Sequence, residues 1–204
     1  WINREDDAGD RGLRTSKLQY LPADMGCKIR LRARNELDAL AAVPVLKSER
    51  LVLDGLRAED RADYNRLCLD DERNRWWGYD YRADLEGELT EDYFLETARR
   101  DFQSRLAVNF ALRLDGRFIG EAVLYRFDCR GSAELGCRIL PEFAGNGYGA
   151  EAFRRAAEWS LYQLGLYRLR AKCFHENEAS RRMLAACMRP DGEDETFLYF
   201  EKRV

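Results

Sequence analysis

The chain has 204 residues, 46% of them hydrophobic, and its 34 basic and 37 acidic side chains give a formal net charge of −3 at pH 7. This balance lacks the basic excess of nucleic-acid-binding proteins, and no apolar run approaches the roughly 18 residues that a transmembrane helix needs. We therefore expect a cytoplasmic protein with a sizeable core and with neither a nucleic-acid nor a membrane partner.

Cysteine usage argues against a metal centre and against disulfides. Six cysteines are scattered singly without a Cys-x-x-Cys pair, and His175 is the one histidine of the chain. A zinc site or a disulfide framework needs closer groupings than these. We expect no metal site, and we expect the thiols to be small buried side chains.

The N-terminal quarter carries mixed patterns. Residues 28–32 alternate like a short strand, and Asn35 is a suitable cap for a helical turn that ends before Pro44. We interpret residues 1–47 as a partly irregular N-terminal extension and residues 48–204 as the main domain.

The main domain opens with a strand and two helices. Residues 50–57 have the pattern of a strand, residues 58–69 are amphipathic at helical spacing, and Thr90 caps a second helix that runs to about Phe102. The aromatic segment Trp76–Tyr81, between the two helices, is predicted to be a loop.

Three strands follow in the middle of the chain. Residues 106–114 and 117–127 flank Asp115-Gly116, a dipeptide typical of the type I′ turn of a β-hairpin. A third strand is predicted at 133–140, directly after another glycine-containing turn.

The last third alternates helices and strands. We predict a helix at 150–164, a buried strand at 167–174, a helix at 178–186 and a final strand at 195–202. Because short links join the first of these helices to the strands on either side, those strands should be parallel neighbours with a right-handed crossover. The predicted fold class is α/β (α+β), with a mixed, largely antiparallel central sheet flanked by helices.

A glycine-rich loop, Gly145-Asn-Gly-Tyr-Gly149, lies between the third strand and the helix after it. Such a loop can direct backbone N–H groups and a helix N-terminus at a phosphate. A nucleoside-triphosphate loop is excluded because no Gly-Lys-Ser/Thr is present, and a position after antiparallel strands does not suit a dinucleotide fold. From these residues alone, phosphate binding and a plain tight connection both stay open.

The wider sequence of residues 48–204 resembles the GCN5-related N-acetyltransferase (GNAT) superfamily, in particular the branch that includes ribosomal-protein N-terminal acetyltransferases. The resemblance rests on Leu140-Pro-Glu142, the glycine loop, and Asn177-Glu-Ala-Ser180. It departs from the family at Ala144, where Arg, Gln or Trp is common, and at Cys187-Met188, where the family usually has Gly-Phe.

The resemblance implies a GNAT fold and acetyl-CoA as the acetyl donor. It places Asn177 beside the pantetheine arm of the donor. It assigns the pyrophosphate to the backbone amides of Gly145, Asn146, Gly147, Tyr148, Gly149 and Ala150.

The resemblance also implies direct attack of a primary amine on the thioester, with backbone N–H groups near Ile139 and Leu140 stabilising the oxyanion. Glu134 and Glu121 are the candidate general bases, because the attacking amine must be neutral. Each could instead be an outward-facing strand carboxylate. Ser180 or Tyr167 could protonate the leaving group, although Ser180 could equally cap its own helix.

The acceptor amine is not specified by the sequence. The aromatic residues Trp76, Trp77, Tyr79 and Tyr81 lie where this family covers the acceptor, although they could serve only to pack two helices. A small molecule and a protein N-terminus both remain acceptors to test, and homodimerisation is left open. The alternative function is a non-catalytic acyl-CoA-binding sensor with the same fold.

Overall fold

The computed structural model describes residues 35–78, 80–85, 87–128 and 130–204. The strand expected at 28–32 and the side chains of Tyr79 and Tyr81 lie outside the described part. Within that part, the strands are β1 (Leu46–Lys47), β2 (Leu51–Gly55), β3 (Ala107–Leu114), β4 (Arg117–Tyr125), β5 (Ser132–Ile139), β6 (Arg168–Phe174), β7 (Arg189–Glu193) and β8 (Phe197–Arg203). They form one eight-stranded sheet with the order β1-β2-β3-β4-β5-β6-β8-β7.

Helices cover both faces of this sheet. They are α1 (Arg61–Cys68), α2 (Asp71–Trp77), α3 (Tyr93–Gln103), α4 (Tyr148–Tyr162) and α5 (Glu178–Cys187). On one face, Phe153 and Ala156 of α4 pack in the larger hydrophobic core with Leu135 of β5. On the other face, α1 and α3 form a smaller core that includes Tyr64 and Phe94. The mixed sheet flanked by helices is confirmed.

Two predicted connections determine the topology. Asp115 and Gly116 both have positive φ (50° and 83°), as a type I′ turn requires, and they join β3 to β4 as an antiparallel pair. Strand β5 pairs in parallel with β6 across helix α4, whereas every other strand pair in the described sheet is antiparallel. The hairpin and the parallel pairing of β5 with β6 are both confirmed.

The prediction missed one helix and placed the start of another too early. Trp76 and Trp77 lie in helix α2 and not in a loop; Asp70 caps that helix by accepting from Arg73 N (3.0 Å), and Gly78 ends it at φ 73°. The helix was missed because five charged or polar residues precede its two tryptophans and hide an apolar face. Helix α3 begins at Tyr93, two residues later than a Thr90 cap implies.

The described part of the predicted N-terminal extension belongs to the same core. Asn35 caps a short 3₁₀ turn, Glu36–Ala39, through a bond from Leu37 N to its side chain (3.0 Å). Leu37 is fully buried in the larger core, and β1 pairs with β2.

A buried ion cluster stabilises the sheet where β2 and β3 pair. The Arg113 guanidinium donates to Asp54 Oδ1 (2.6 Å) and to Asp60 Oδ1 (2.7 Å), and the three side chains are 4%, 7% and 3% exposed. We expect Arg113→Met to lower the free energy of unfolding by about 3 kcal/mol, because Asp60 loses its charged partner and Asp54 keeps only Arg57. Urea unfolding measures this.

Arg117→Met is the matched control, since the Arg117 side chain is 60% exposed and its carboxylate partner lies 3.7 Å away. The control should change stability by no more than about 0.5 kcal/mol. Equal losses in the two variants would contradict a structural role for the buried cluster.

Candidate active site

The two parallel strands separate shortly after they meet. Strands β5 and β6 pair over three residues only, from Ser132↔Arg168 to Glu134↔Arg170. Strand β5 then continues to Ile139 and β6 to Phe174, with no pairing between them in the described sheet. This fork leaves one backbone edge of β5 open beside the N-terminus of α4.

The direction of the β5 backbone groups follows from the β4/β5 ladder. Leu140 N donates to Ile119 O (2.9 Å), in register with Gly120↔Ile139. Alternate residues of an antiparallel ladder point their N–H groups to opposite sides. The backbone N–H groups of Cys137 and Ile139 therefore point to the fork, whereas the N–H of Leu140 is bonded to β4. The N–H of Ile139 therefore remains a candidate for stabilising the oxyanion. The prediction for Leu140 is wrong, because its N–H is already bonded to Ile119 O within the sheet.

A small cavity of about 50 Å³ lies at the fork. Its wall combines aromatic residues from α2 and the sheet with small and sulfur-containing residues from β5, β6 and α5. The lining residues are Trp76, Trp77, Tyr125, Leu135, Gly136, Cys137, Phe153, Lys172, Cys173, Phe174, Ser180, Met183, Leu184 and Phe197. A larger, open depression of about 500 Å³ lies at the C-terminal end of α5 and contains none of the predicted site residues.

The tryptophans reach the cavity because β5 carries a glycine beneath them. A Cβ on Gly136 would lie 2.7 Å from Trp77 Cη2, so any side chain there would displace the indole. The Arg138 guanidinium carbon lies 4.8 Å from the Trp77 ring centroid, and the Trp76 ring meets Phe174 edge-on at 6.0 Å. The structure thus brings both predicted tryptophans to the fork.

Glu121 does not face the cavity. Its side chain is fully buried, and Arg138 Nε donates to its Oε1 (2.6 Å). Tyr64 Oη (3.1 Å) and Asn109 Nδ2 (3.3 Å) donate to the other carboxylate oxygen. A carboxylate that is enclosed and paired in this way has no open path to a substrate amine. We therefore correct its assignment from general base to buried partner of Arg138.

Glu134 lies at the fork itself. It is the last β5 residue that pairs with β6, and its side chain is 14% exposed and 3.3 Å from Arg126. Tyr125, its register partner on β4, lines the cavity. Burial raises the pKa of Tyr125 to about 12, and the Glu134 carboxylate adds to that rise. Tyr125 was not predicted as a site residue, and nothing in its local sequence marks it.

Asn177 and Ser180, at the start of α5, have different roles. Asn177 Oδ1 accepts from Ser180 N (3.1 Å) and so caps the helix. The Ser180 side chain lines the cavity. Tyr167, the other candidate acid, is 59% exposed and does not line the cavity.

The glycine loop has the geometry of an anion site. Gly145 and Gly147 have φ of 81° and 79°, and α4 begins at Tyr148. The first helical bond is Glu151 N to Gly147 O (3.1 Å), and within the described chain the N–H groups of residues 145–150 have no protein acceptor. Six free donors at a helix N-terminus fit a diphosphate. No heavy atom of the described residues lies within 4 Å of a Cβ built on Gly145, so they leave this side of the loop open.

The loop is held in shape by a side chain of its own. Asn146 Nδ2 donates to Phe143 O (3.2 Å) and to Ala144 O (3.1 Å). The Asn146 side chain therefore braces the turn while its N–H remains free.

The remaining chemistry of the described residues is limited. They hold no group of three or more His, Cys, Asp and Glu side chains that could bind a metal ion. Cys137 is a free thiol beside the fork, and burial raises its pKa to about 12. None of the described helices has both the length and the apolar character that crossing a membrane requires.

A forked sheet with an amide-lined loop at the fork fits an acyl-coenzyme A-dependent transferase, the class that the sequence resemblance implied. The match of residues 50–187 to the acetyltransferase (GNAT) domain family makes this specific. The chain belongs to that family, and it is an acetyl-CoA-dependent N-acetyltransferase, as its sequence indicated.

Individual proteins similar to this chain agree with the family. The uncharacterized N-acetyltransferase YoaA of Bacillus subtilis (strain 168) is 27% identical over 146 residues, which are 69% of this chain and 80% of YoaA. Two solved structures share the fold. RimL, a ribosomal L7/L12 alpha-N-protein acetyltransferase in complex with coenzyme A, has TM-score 0.65 at 12% identity and covers 79% of this chain and 98% of its own. Spermidine N-acetyltransferase from Vibrio cholerae, in complex with CoA and spermine, has TM-score 0.63 at 18% identity. The match covers 76% of this chain and 95% of the spermidine enzyme.

Proposed function

We propose that this enzyme acetylates a primary amine by direct attack, with Glu134 as the general base at the fork. The observation that supports this most is the position of Glu134, at the last paired residue of β5 and β6 and beside the cavity residue Tyr125. Of the two predicted carboxylates, Glu134 is the one with partial solvent access.

In the proposed acetyl transfer, Glu134, the N–H of Ile139 and Ser180 each act at one step. Glu134 takes a proton from the amine, directly or through a water, while the amine nitrogen forms a bond to the thioester carbonyl carbon. The N–H of Ile139, which faces the fork, stabilises the oxyanion. The carbon–sulfur bond then breaks, and the Ser180 hydroxyl supplies a proton to the departing thiolate and regains one from water. No covalent intermediate on the protein is required.

The cavity lining bears on the acceptor. Among its described residues the one charged group is Lys172, whose Nζ lies 4.1 Å from the Phe197 ring centroid. Asp80, which could have attracted a cation, is bound to Arg82 (2.7 Å). The Glu134 carboxylate beside this wall attracts the reacting amine, whereas the aromatic wall and Lys172 favour an apolar or aromatic body and disfavour a second cationic group on the acceptor. RimL and the spermidine enzyme share this fold with different acceptors, so the fold alone does not choose between acceptors.

An amine panel tests this acceptor class. We expect phenethylamine or a short peptide with an aromatic N-terminal residue to exceed spermidine in kcat/KM by about tenfold or more, equivalent to ~1.4 kcal/mol. Product mass and thiol release are the measurements. A preference for spermidine would overturn the proposed acceptor class while leaving acetyl transfer intact.

Lys172→Gln sharpens the same experiment. Removing this charge should raise kcat/KM for spermidine relative to the monoamine. Lys202→Gln is the matched control, because Lys202 lies on β8 outside the cavity lining. An unchanged ratio in Lys172→Gln would show that the lysine does not select the acceptor.

A further inference from the structure

The glycine loop has a cation from a distant segment beside it. Arg50, just before β2, donates from Nη1 to Asn146 O (3.1 Å). Its Nη2 lies 3.5 Å from the position of a Cβ on Gly147, and its guanidinium carbon lies 4.6 Å from the Tyr148 ring centroid. The guanidinium therefore lies against the same loop residues whose N–H groups have no acceptor.

A carboxylate fixes the orientation of this guanidinium. Arg50 Nε donates to Glu151 Oε2 (2.7 Å), while the Arg50 backbone N–H and Ser48 Oγ both donate to Glu151 Oε1 (2.7 Å each). Burial acts to raise the pKa of Glu151, but these hydrogen bonds outweigh it and the pKa is lowered. Glu151 thus stays ionised and holds one edge of the guanidinium.

The other edge of the guanidinium has N–H groups that can still donate hydrogen bonds. Within the described chain Nη2 has no protein acceptor, and the Arg50 side chain is 43% exposed. A planar guanidinium with free N–H groups matches phosphate oxygens and is more weakly hydrated than an ammonium. The sequence meanwhile provides no side chain beyond a methyl at Ala144, directly before the loop.

We propose that Arg50 is a phosphate-binding residue, whose free guanidinium edge binds a phosphate oxygen of coenzyme A held at the glycine loop. Arg50 thereby supplies from the start of β2 a charge that position 144 does not provide. This inference rests on the use of acetyl-CoA by the enzyme.

A purely structural role makes a different prediction. If Arg50 only braced α4 through Glu151, its loss would weaken every part of the donor site equally. If it binds phosphate, its loss should weaken coenzyme A and leave pantetheine, which lacks phosphate, unaffected.

Calorimetry with coenzyme A and with pantetheine distinguishes these roles. We expect Arg50→Gln to raise the Kd for coenzyme A by about tenfold, to reduce the salt dependence of binding, and to leave the Kd for pantetheine unchanged. Glu151→Gln is the matched variant, because it removes the brace and keeps the guanidinium. It should change the Kd for coenzyme A by about threefold at most.

Two results would overturn the proposal: Arg50→Gln binding coenzyme A like the parent, or Arg50→Gln weakening coenzyme A and pantetheine by the same factor. If Arg50→Gln did not fold, Arg50→Lys would be compared in the same way, since it keeps a cation near Glu151 and lacks the guanidinium fork. A parent protein that bound no coenzyme A would instead contradict the enzyme function itself.

Discussion

Gly147→Val should lower the affinity for coenzyme A by about 100-fold, or ~2.8 kcal/mol, the equivalent of losing one or two charge-assisted hydrogen bonds. Gly147 has φ 79°, which a β-branched residue avoids, and it precedes the first residue of α4. A valine would shift this backbone and turn the free N–H groups away from the phosphate. Calorimetry with coenzyme A measures the loss.

Gly116→Val separates backbone strain from ligand binding. Gly116 has nearly the same φ (83°) and lies in the β3–β4 hairpin, where no heavy atom of the described part of the chain lies within 4 Å of a built Cβ. Both variants should lose about 1–3 kcal/mol of stability, but only Gly147→Val should lose coenzyme A. If a folded Gly147→Val bound coenzyme A like the parent, the phosphate site would have to be elsewhere.

Glu134→Gln should reduce kcat by about 10²- to 10⁴-fold, the range that a positioned general base contributes. The amide keeps the size of the side chain and cannot accept the proton. Binding of coenzyme A should be unchanged, because Glu134 lies on β5 and not in the glycine loop. Steady-state kinetics with saturating amine test this result.

Glu121→Gln is the paired variant, and the opposite outcome is expected. It leaves the buried Arg138 without its carboxylate, so stability should fall by about 3 kcal/mol. The kcat of the folded fraction should stay close to that of the parent. Strong loss of kcat in Glu121→Gln together with normal kcat in Glu134→Gln would reverse the assignment of the base.

The order of elements was predictable because its determinants are local. Asp115-Gly116 specifies a hairpin turn, and the short links around α4 leave the parallel β5/β6 pair as the simple solution. The family match then confirmed what the loop and the Asn177–Ser180 segment indicated.

Details that depend on register or on distant contacts were not predictable. Glu121 and Arg138 are register partners across β4 and β5, and only that pairing shows that the carboxylate is neutralised inside the sheet. Arg50 and Glu151 are 101 residues apart, so their contact leaves no local pattern.

Helix α2 is a different kind of omission, because its determinants were present in the sequence. Asp70 is a suitable N-cap and Gly78 a suitable C-terminal stop, eight residues apart. The five charged or polar residues between them hide the apolar face, whereas the ends of the segment indicated a helix.

The most direct test of the enzyme assignment is a coupled measurement of free thiol and acetylated amine with acetyl-CoA and an amine panel. We predict thiol release that requires an amine and equals the acetylated product mole for mole. Tight binding of acetyl-CoA without amine-dependent thiol release would contradict the assignment and would leave a binding protein that performs no transfer.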